Sequence, residues 1–144
     1  MNKKYLIASI LAGAVVALDQ LTKVMVLSRF RLGESYTVIE NFFNLTFVKN
    51  FGAAFGFLAQ SHPEFREIFF LTMPPAAMIV IFFLLKGVQK DDRVQILALS
   101  SILGGAIGNL IDRITLTHVI DFIDFRIWPV FNLADSAITI GSNV

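Results

Sequence analysis

The chain of 144 residues contains no cysteine, which excludes a disulfide framework, a thiolate nucleophile and a thiolate metal site. Histidine is nearly as scarce. His62 and His118 are the only two, and no HExxH arrangement surrounds either, so a zinc protease has almost no support. A long basic run is also missing, and the formal net charge is only +1; nucleic acid is not an expected partner. No internal repeat or low-complexity linker interrupts the chain.

What the chain has in excess is apolar surface. Hydrophobic residues make up 56% of it and phenylalanine alone supplies 15, more than the core of one soluble domain can hide. The sequence therefore reads as a single membrane-embedded domain over 1–144. Apolar runs of spanning length begin near Tyr5, Ile68 and Val94, and a fourth begins at Val130, predicting a mainly α fold of four transmembrane helices. The first run, behind Lys3 and Lys4, imitates a signal peptide. It continues into Asp19-Gln20-Leu21-Thr22-Lys23 without a cleavage pattern, and is read as a retained first span. Pro74-Pro75 is expected to kink the second. From Val130 the fourth run offers about 15 residues and roughly 21 Å, short of a hydrocarbon core of about 30 Å, so that helix is expected to look truncated.

Basic residues orient the bundle. Lys3 and Lys4 precede the first span, and 86–93 holds three more in Lys86, Lys90 and Arg93. Both regions are assigned to the cytoplasm, leaving 28–67 and 112–129 outside. Within the first outer connection, Tyr36-Thr37-Val38-Ile39 and Asn44-Leu45-Thr46-Phe47-Val48 are β-branched and aromatic, predicting a small strand pair. The following Asn50-Phe51-Gly52-Ala53-Ala54-Phe55-Gly56 suits a tight turn or close backbone approach.

Polar residues in such a chain are the candidates for function. At about 1.5 Å per residue, Asp19 and Lys23 lie about 21 and 27 Å along from Tyr5, and Asn109 about 22 Å along from Val94. Asp135 falls at the start of the fourth run, while Asn50, Arg113 and Asp121 sit in or beside outer connections. All converge on one outer level. Two carboxylates stand in strongly apolar sequence, Asp121 in Val119-Ile120-Asp121-Phe122 and Asp135 in Asn132-Leu133-Ala134-Asp135-Ser136. Brought together, they would share one proton and split into a base and an acid, the means of metal-free peptide hydrolysis by aspartates.

Structural roles compete for several of these residues. Asp19 and Lys23, spaced i,i+4, are placed to pair with each other. Asn109, Asp112 and Arg113 can simply end the third helix, with Asp112 and Arg113 reaching the headgroup layer. Asp124 competes with Asp121, although its neighbour Arg126 offers it an ordinary salt bridge. Gly104, Gly105 and Gly108 suit close helix packing rather than phosphate binding, and His62 and His118 read as loop histidines.

Together, Asp19-Gln20-x-Thr22-Lys23, Asn50-x-Gly52-Ala53-Ala54-Phe55-Gly56, Gly104-Gly105-x-x-Gly108-Asn109-Leu110-x-Asp112-Arg113, Val119-Ile120-Asp121-Phe122 and Phe131-Asn132-x-Ala134-Asp135-Ser136 closely resemble the lipoprotein signal peptidase (signal peptidase II) family of bacteria. The resemblance implies an intramembrane aspartic endopeptidase of the inner membrane that needs no cofactor. Its substrates would be diacylglyceryl-modified prolipoproteins, cut just before the lipidated cysteine, and globomycin would block it. By the same resemblance Asp121 and Asp135 are the catalytic pair, and Asp19, Lys23, Asn50, Gly52, Asn109, Arg113, Asn132 and Ala134 line or support the site. It also implies an outer-face sheet and a short helix cradling the substrate in the first outer loop. Membrane lipid is the surrounding partner and a monomer is the expected state.

Three other readings stay open on the residues alone. A proton-coupled transporter would also carry intramembrane Asp and Lys, but spread through the bilayer with a midplane site. A non-catalytic membrane assembly subunit would need no active pair. A hydrolase using Ser136 with Lys23 is the alternative within enzymes.

Overall fold

The computed structural model describes residues 2–51 and 62–144. Three helices carry the fold: α1 (Lys3–Arg29), α2 (Pro63–Gly87) and α3 (Arg93–Leu116). At 27, 25 and 24 residues, each is long and apolar enough to cross a membrane. This is a multi-pass membrane protein. Each helix starts on a side-chain cap: the Asn2 side chain accepts from the Lys4 N–H, His62 from Glu64 and Asp92 from Gln95. His62, expected as a loop residue, thus sets the start of α2, where Pro63 follows at the position that lacks a helical donor requirement.

α4 (Leu133–Ser142) has 10 residues, about 15 Å of helix. Three helices of spanning length, not the expected four, are therefore present among the described residues. α2 runs continuously through Pro74 and Pro75, the position of the expected kink. The short helix expected around residues 52–56 lies outside the described residues.

α3 is the centre of the bundle, touching α1, α2 and α4. Glycine makes the close approaches possible. A Cβ on Gly104 would stand 2.7 Å from the Val15 Cβ, one on Gly105 2.5 Å from the Ala134 carbonyl oxygen, and one on Gly108 2.5 Å from the Asp19 Oδ2. α2 is different: only Ile81 and Leu85 are buried, and residues such as Ile68, Ile79, Val80 and Phe83 face outward, as lipid contact requires. At the end where α2 stops, the buried Lys4 donates to the carbonyls of Lys86 (3.0 Å) and Val88 (2.7 Å), tying α1 to the end of α2.

At the other end lies one antiparallel sheet in the order β1 (Ser35–Ile39), β2 (Phe43–Asn50), β3 (Val119–Asp124). The predicted hairpin is β1 with β2; β3 was not foreseen as a strand. β3 pairs with β2 in the register Val48↔Asp121, Lys49↔Ile120 and Asn50↔Val119. Val26 near the end of α1 packs with Phe47, Ile120 and Phe122, which seats the sheet on the bundle.

These contacts make Gly105 a sharp test. Gly105→Ala should lower the melting temperature in detergent, with a cost of about 1–3 kcal/mol, because the new methyl meets a backbone carbonyl that cannot turn away. Gly13→Ala, where nothing lies within 4 Å, should be neutral or stabilising by up to about 1 kcal/mol. Equal melting temperatures for both variants would contradict the packing.

Candidate active site

Asp121 reaches the site from β3 and Asp135 from the first turn of α4, and both line one cavity of about 990 Å³. Local chemistry explains both positions. Extended backbone alternates side chains, so Asp121 and Asp124 point to opposite faces of β3. Asp124 accepts from the Thr46 hydroxyl (2.9 Å) and the Arg126 backbone N–H (2.8 Å). The salt bridge expected from Arg126 is not formed, because a turn with φ of 71° at Arg126 returns its backbone N–H to the carboxylate. Asp135 belongs to a capping box. The Asn132 side chain accepts from the Asp135 N–H (2.9 Å), and Asp135 Oδ2 accepts from the Asn132 N–H (3.2 Å).

Each carboxylate is held by amides whose polarity is imposed from outside. Lys23 Nζ contacts Asn109 Oδ1 at 3.1 Å. A lysine only donates, so the Asn109 oxygen must face it and the Asn109 nitrogen must face Asp135, to which it donates at 2.8 Å. The same logic fixes Asn132. Its oxygen receives the Asp135 N–H, so its nitrogen points to Asp121 Oδ1 at 2.8 Å, within reach also of the Ile120 carbonyl and Asn109 Oδ1. Asn50 donates to the other Asp121 oxygen at 3.1 Å.

Behind these amides lies a buried charge cluster. Lys23 sits 2.8 Å from Asp19 and 2.8 Å from Asp112. Asp19 also accepts the Ala134 backbone N–H (3.0 Å), holding the start of α4 against α1. Asp112 accepts the Ile120 N–H (3.1 Å), holding β3 one residue before Asp121. Gln20 Nε2 lies within 3.2 Å of Asp19, 3.1 Å of the Gly108 carbonyl and 3.0 Å of Asp112. Arg113 lines the cavity and rests over the Phe70 ring at 5.1 Å.

The comparisons with known proteins fit this arrangement. A family model described as signal peptidase (SPase) II matches residues 11–144. The chain belongs to the signal peptidase II family. The lipoprotein signal peptidase of Syntrophus aciditrophicus is 47% identical, over 98% of this chain and 90% of that protein. That of Maridesulfovibrio salexigens is 46% identical, over 99% and 93%. A solved bacterial membrane enzyme superposes with a TM-score of 0.83 at 35% identity, covering 94% of this chain and 82% of its own.

In this member of the signal peptidase II family, the residues singled out from sequence fall in three places. Asn50, Asn109, Arg113, Asp121 and Asp135 line the cavity. Asp19, Lys23, Asn132 and Ala134 lie buried behind it. Gly52 lies outside the described residues. Sequence reasoning left Asp112 at the headgroup layer and gave Gln20 no role. The available signal was spacing: Asn109 and Asp112 are i,i+3 and share a face of α3, as Asp19 and Lys23 share one of α1. The alternative pair of Ser136 and Lys23 is not assembled. The Ser136 hydroxyl donates to the Asn132 carbonyl, and Lys23 is engaged by Asp19, Asp112 and Asn109.

Burial pushes the Asp121 carboxyl up to about 7, with the nearby Asp135 charge adding to the effect; hydrogen bonds from Asn50 and Asn132 and the Lys23 charge oppose it. Its ordinary value is 3.8. From that value upward to about 7, the folded protein holds a proton that the unfolded chain has lost, so stability falls as pH rises through this window. Asp121→Asn should remove that loss, stabilising the fold at pH 8 by an amount on the order of a few kcal/mol and so raising the melting temperature there. Asp112→Asn should do the opposite and cost about 3–5 kcal/mol, because it breaks a buried ion pair and leaves Lys23 half-compensated. Melting curves of both variants in detergent at pH 5 and pH 8 check the two signs.

Proposed function

We propose that this chain removes the signal peptide from diacylglyceryl-modified prolipoproteins, cutting immediately before the lipidated cysteine, with Asp121 and Asp135 as the catalytic pair. The observation that carries the reading is the pair itself: two carboxylates from different elements facing one cavity, each oriented by amide donors. Family membership and the names of its relatives support the substrate class.

A carboxyl lifted to about 7 beside a second acid lets the two hold one proton between them at neutral pH. The ionised member takes a proton from water as the water oxygen bonds to the scissile carbonyl carbon. The neutral member donates to the carbonyl oxygen. The C–N bond then breaks as the leaving nitrogen takes a proton from the pair, giving a new carboxyl end and the free amine of the cysteine. The pair titrates as a unit, and the two roles belong to the pair. No cofactor is required.

Asn50, Asn109 and Asn132 keep the acids aimed, Lys23 and Asp19 keep the amides and α4 in place, and Arg113 supplies positive charge at the cavity wall. Ala134 supports the site through its backbone N–H, bound by Asp19, and Gly52 is assigned to it by the family resemblance. The cavity runs from Val48 and Asn50 of the sheet to Ser136, Thr139 and Ile140 of α4, facing Arg66 of α2. That course suits an extended peptide at the polar end and acyl chains along the apolar end. The lysine and arginine distribution supports a cytoplasmic N-terminus and a site at the outer face of the bacterial inner membrane. The enzyme works as a monomer that globomycin occupies.

Purified protein should cleave a diacylglyceryl-modified prolipoprotein peptide, stop when globomycin is added, and lose rate as pH rises well above 7. Asp121→Asn and Asp135→Asn should each lower turnover by at least about 10³-fold, while Asp124→Asn, whose carboxylate serves the sheet, should stay near the parent rate. Near-parental cleavage by either dyad variant would defeat the assignment.

A further inference from the structure

The sheet carries an exposed apolar tip. β3 ends at Asp124, and Phe131 returns to it: the Phe131 carbonyl accepts from Ile123 (2.7 Å) and Phe122 (2.9 Å), and the Phe131 N–H donates to Ile123 (3.0 Å). Residues 125–130 are thereby closed into a loop. Its base is firm, with the Phe125 ring 5.7, 5.0 and 6.0 Å from those of Phe42, Phe43 and Phe131. Arg126 makes the turn in the left-handed region. The tip then presents Ile127 at 93% exposure and Trp128 at 57%, and its base at Phe125 packs against Phe42 of the β1–β2 hairpin, which is itself exposed. An exposed apolar patch of this composition marks a contact surface.

Depth identifies what it contacts. The loop feeds straight into α4, whose Ala134 N–H is bound by Asp19. Asp19 lies about 15 Å short of the end of α1 at Arg29, at 1.5 Å per residue. Over that stretch Leu21, Val24, Met25 and Leu27 are exposed, the mark of a helix still in hydrocarbon. α4 therefore begins below the membrane surface, and a short loop entering it lies in the interfacial layer. Tryptophan favours that layer, and arginine beside it can reach phosphate.

We infer that Ile127 and Trp128 insert into the leaflet at the sheet end and anchor the sheet to phospholipid. Trp128, Pro129 and Val130 also line the cavity that holds Asp121 and Asp135. The anchor therefore sets the height of the cavity mouth relative to the acyl chains. This contact exists without substrate and does not depend on the peptidase reading.

Trp128 is the only tryptophan, so its fluorescence reports this loop alone. In vesicles of phosphatidylcholine and phosphatidylglycerol, the full chain should show blue-shifted emission, strong quenching when the acyl chains are brominated, and weak quenching by iodide. Iodide quenching without bromolipid quenching puts the loop in water and overturns the inference. Resistance to both means that protein, a second copy included, covers the loop, and overturns it equally. Lipid entering the cavity would quench Trp128 from the inner side. The double variant Ile127→Trp with Trp128→Phe therefore moves the reporter to the outward position, where bromolipid quenching should persist. Its loss there overturns insertion into the leaflet. No turnover is measured, so failure would leave the assignment of the acids untouched.

Discussion

Lys23 is the side chain on which the arrangement of the other polar groups depends. Its ammonium lies between Asp19 and Asp112, 2.8 Å from each, and against the Asn109 oxygen at 3.1 Å. A buried cation is tolerated only when partners of this quality surround it, since desolvation costs several kcal/mol per ion. Once seated, it dictates direction. The lysine cannot accept, so Asn109 must offer it oxygen and present nitrogen to Asp135. The two acids that compensate Lys23 hold the elements bearing the candidate catalytic pair, Asp19 through the Ala134 N–H of α4 and Asp112 through the Ile120 N–H of β3. Charge compensation and geometric alignment are one structure here.

That cluster is possible because helices approach closely where it forms. Gly108 leaves the space that Asp19 Oδ2 occupies, and Gly105 lets the start of α4 lie against α3. Within a bilayer the hydrophobic effect does not drive one helix against another, so van der Waals fit and interhelical hydrogen bonds must do so. α2, with neither glycine contacts nor buried polar residues among the described residues, shows the converse and presents most of its surface outward. The asymmetry leaves the cavity bounded by α3, α4 and the sheet, with Arg66 of α2 on its far side.

Much of this was legible in the sequence. The long apolar runs, the β-branched hairpin, the packing glycines and the gathering of polar residues at one level follow from hydropathy, composition and helical rise, which are local properties. The misreadings have physical causes too. Val119–Asp124 has β-branched and aromatic residues of its own, but its strand depends on β2 lying alongside to pair with it, a partner that no local pattern names. Asp124 was given an ordinary salt bridge with Arg126, but a left-handed turn supplies the backbone N–H instead. Asp112 read as a helix-end acid bound for the headgroups, yet it is buried because Lys23 from another helix meets it there.

By itself, then, the sequence determined that this protein lives in a membrane, where its polar residues gather along the bundle, and which two acids stand in apolar surroundings. Those outcomes depend on residue type and spacing along one chain segment. Tertiary structure alone decided that Asp121 and Asp135 open on one cavity, that Asn132 and Asn109 turn their nitrogens toward them, and that burial with a neighbouring charge lifts Asp121 to about 7. The two amide contacts join groups 11 and 26 residues apart in the chain, and such proximity is a property of the packed bundle rather than of any segment in it.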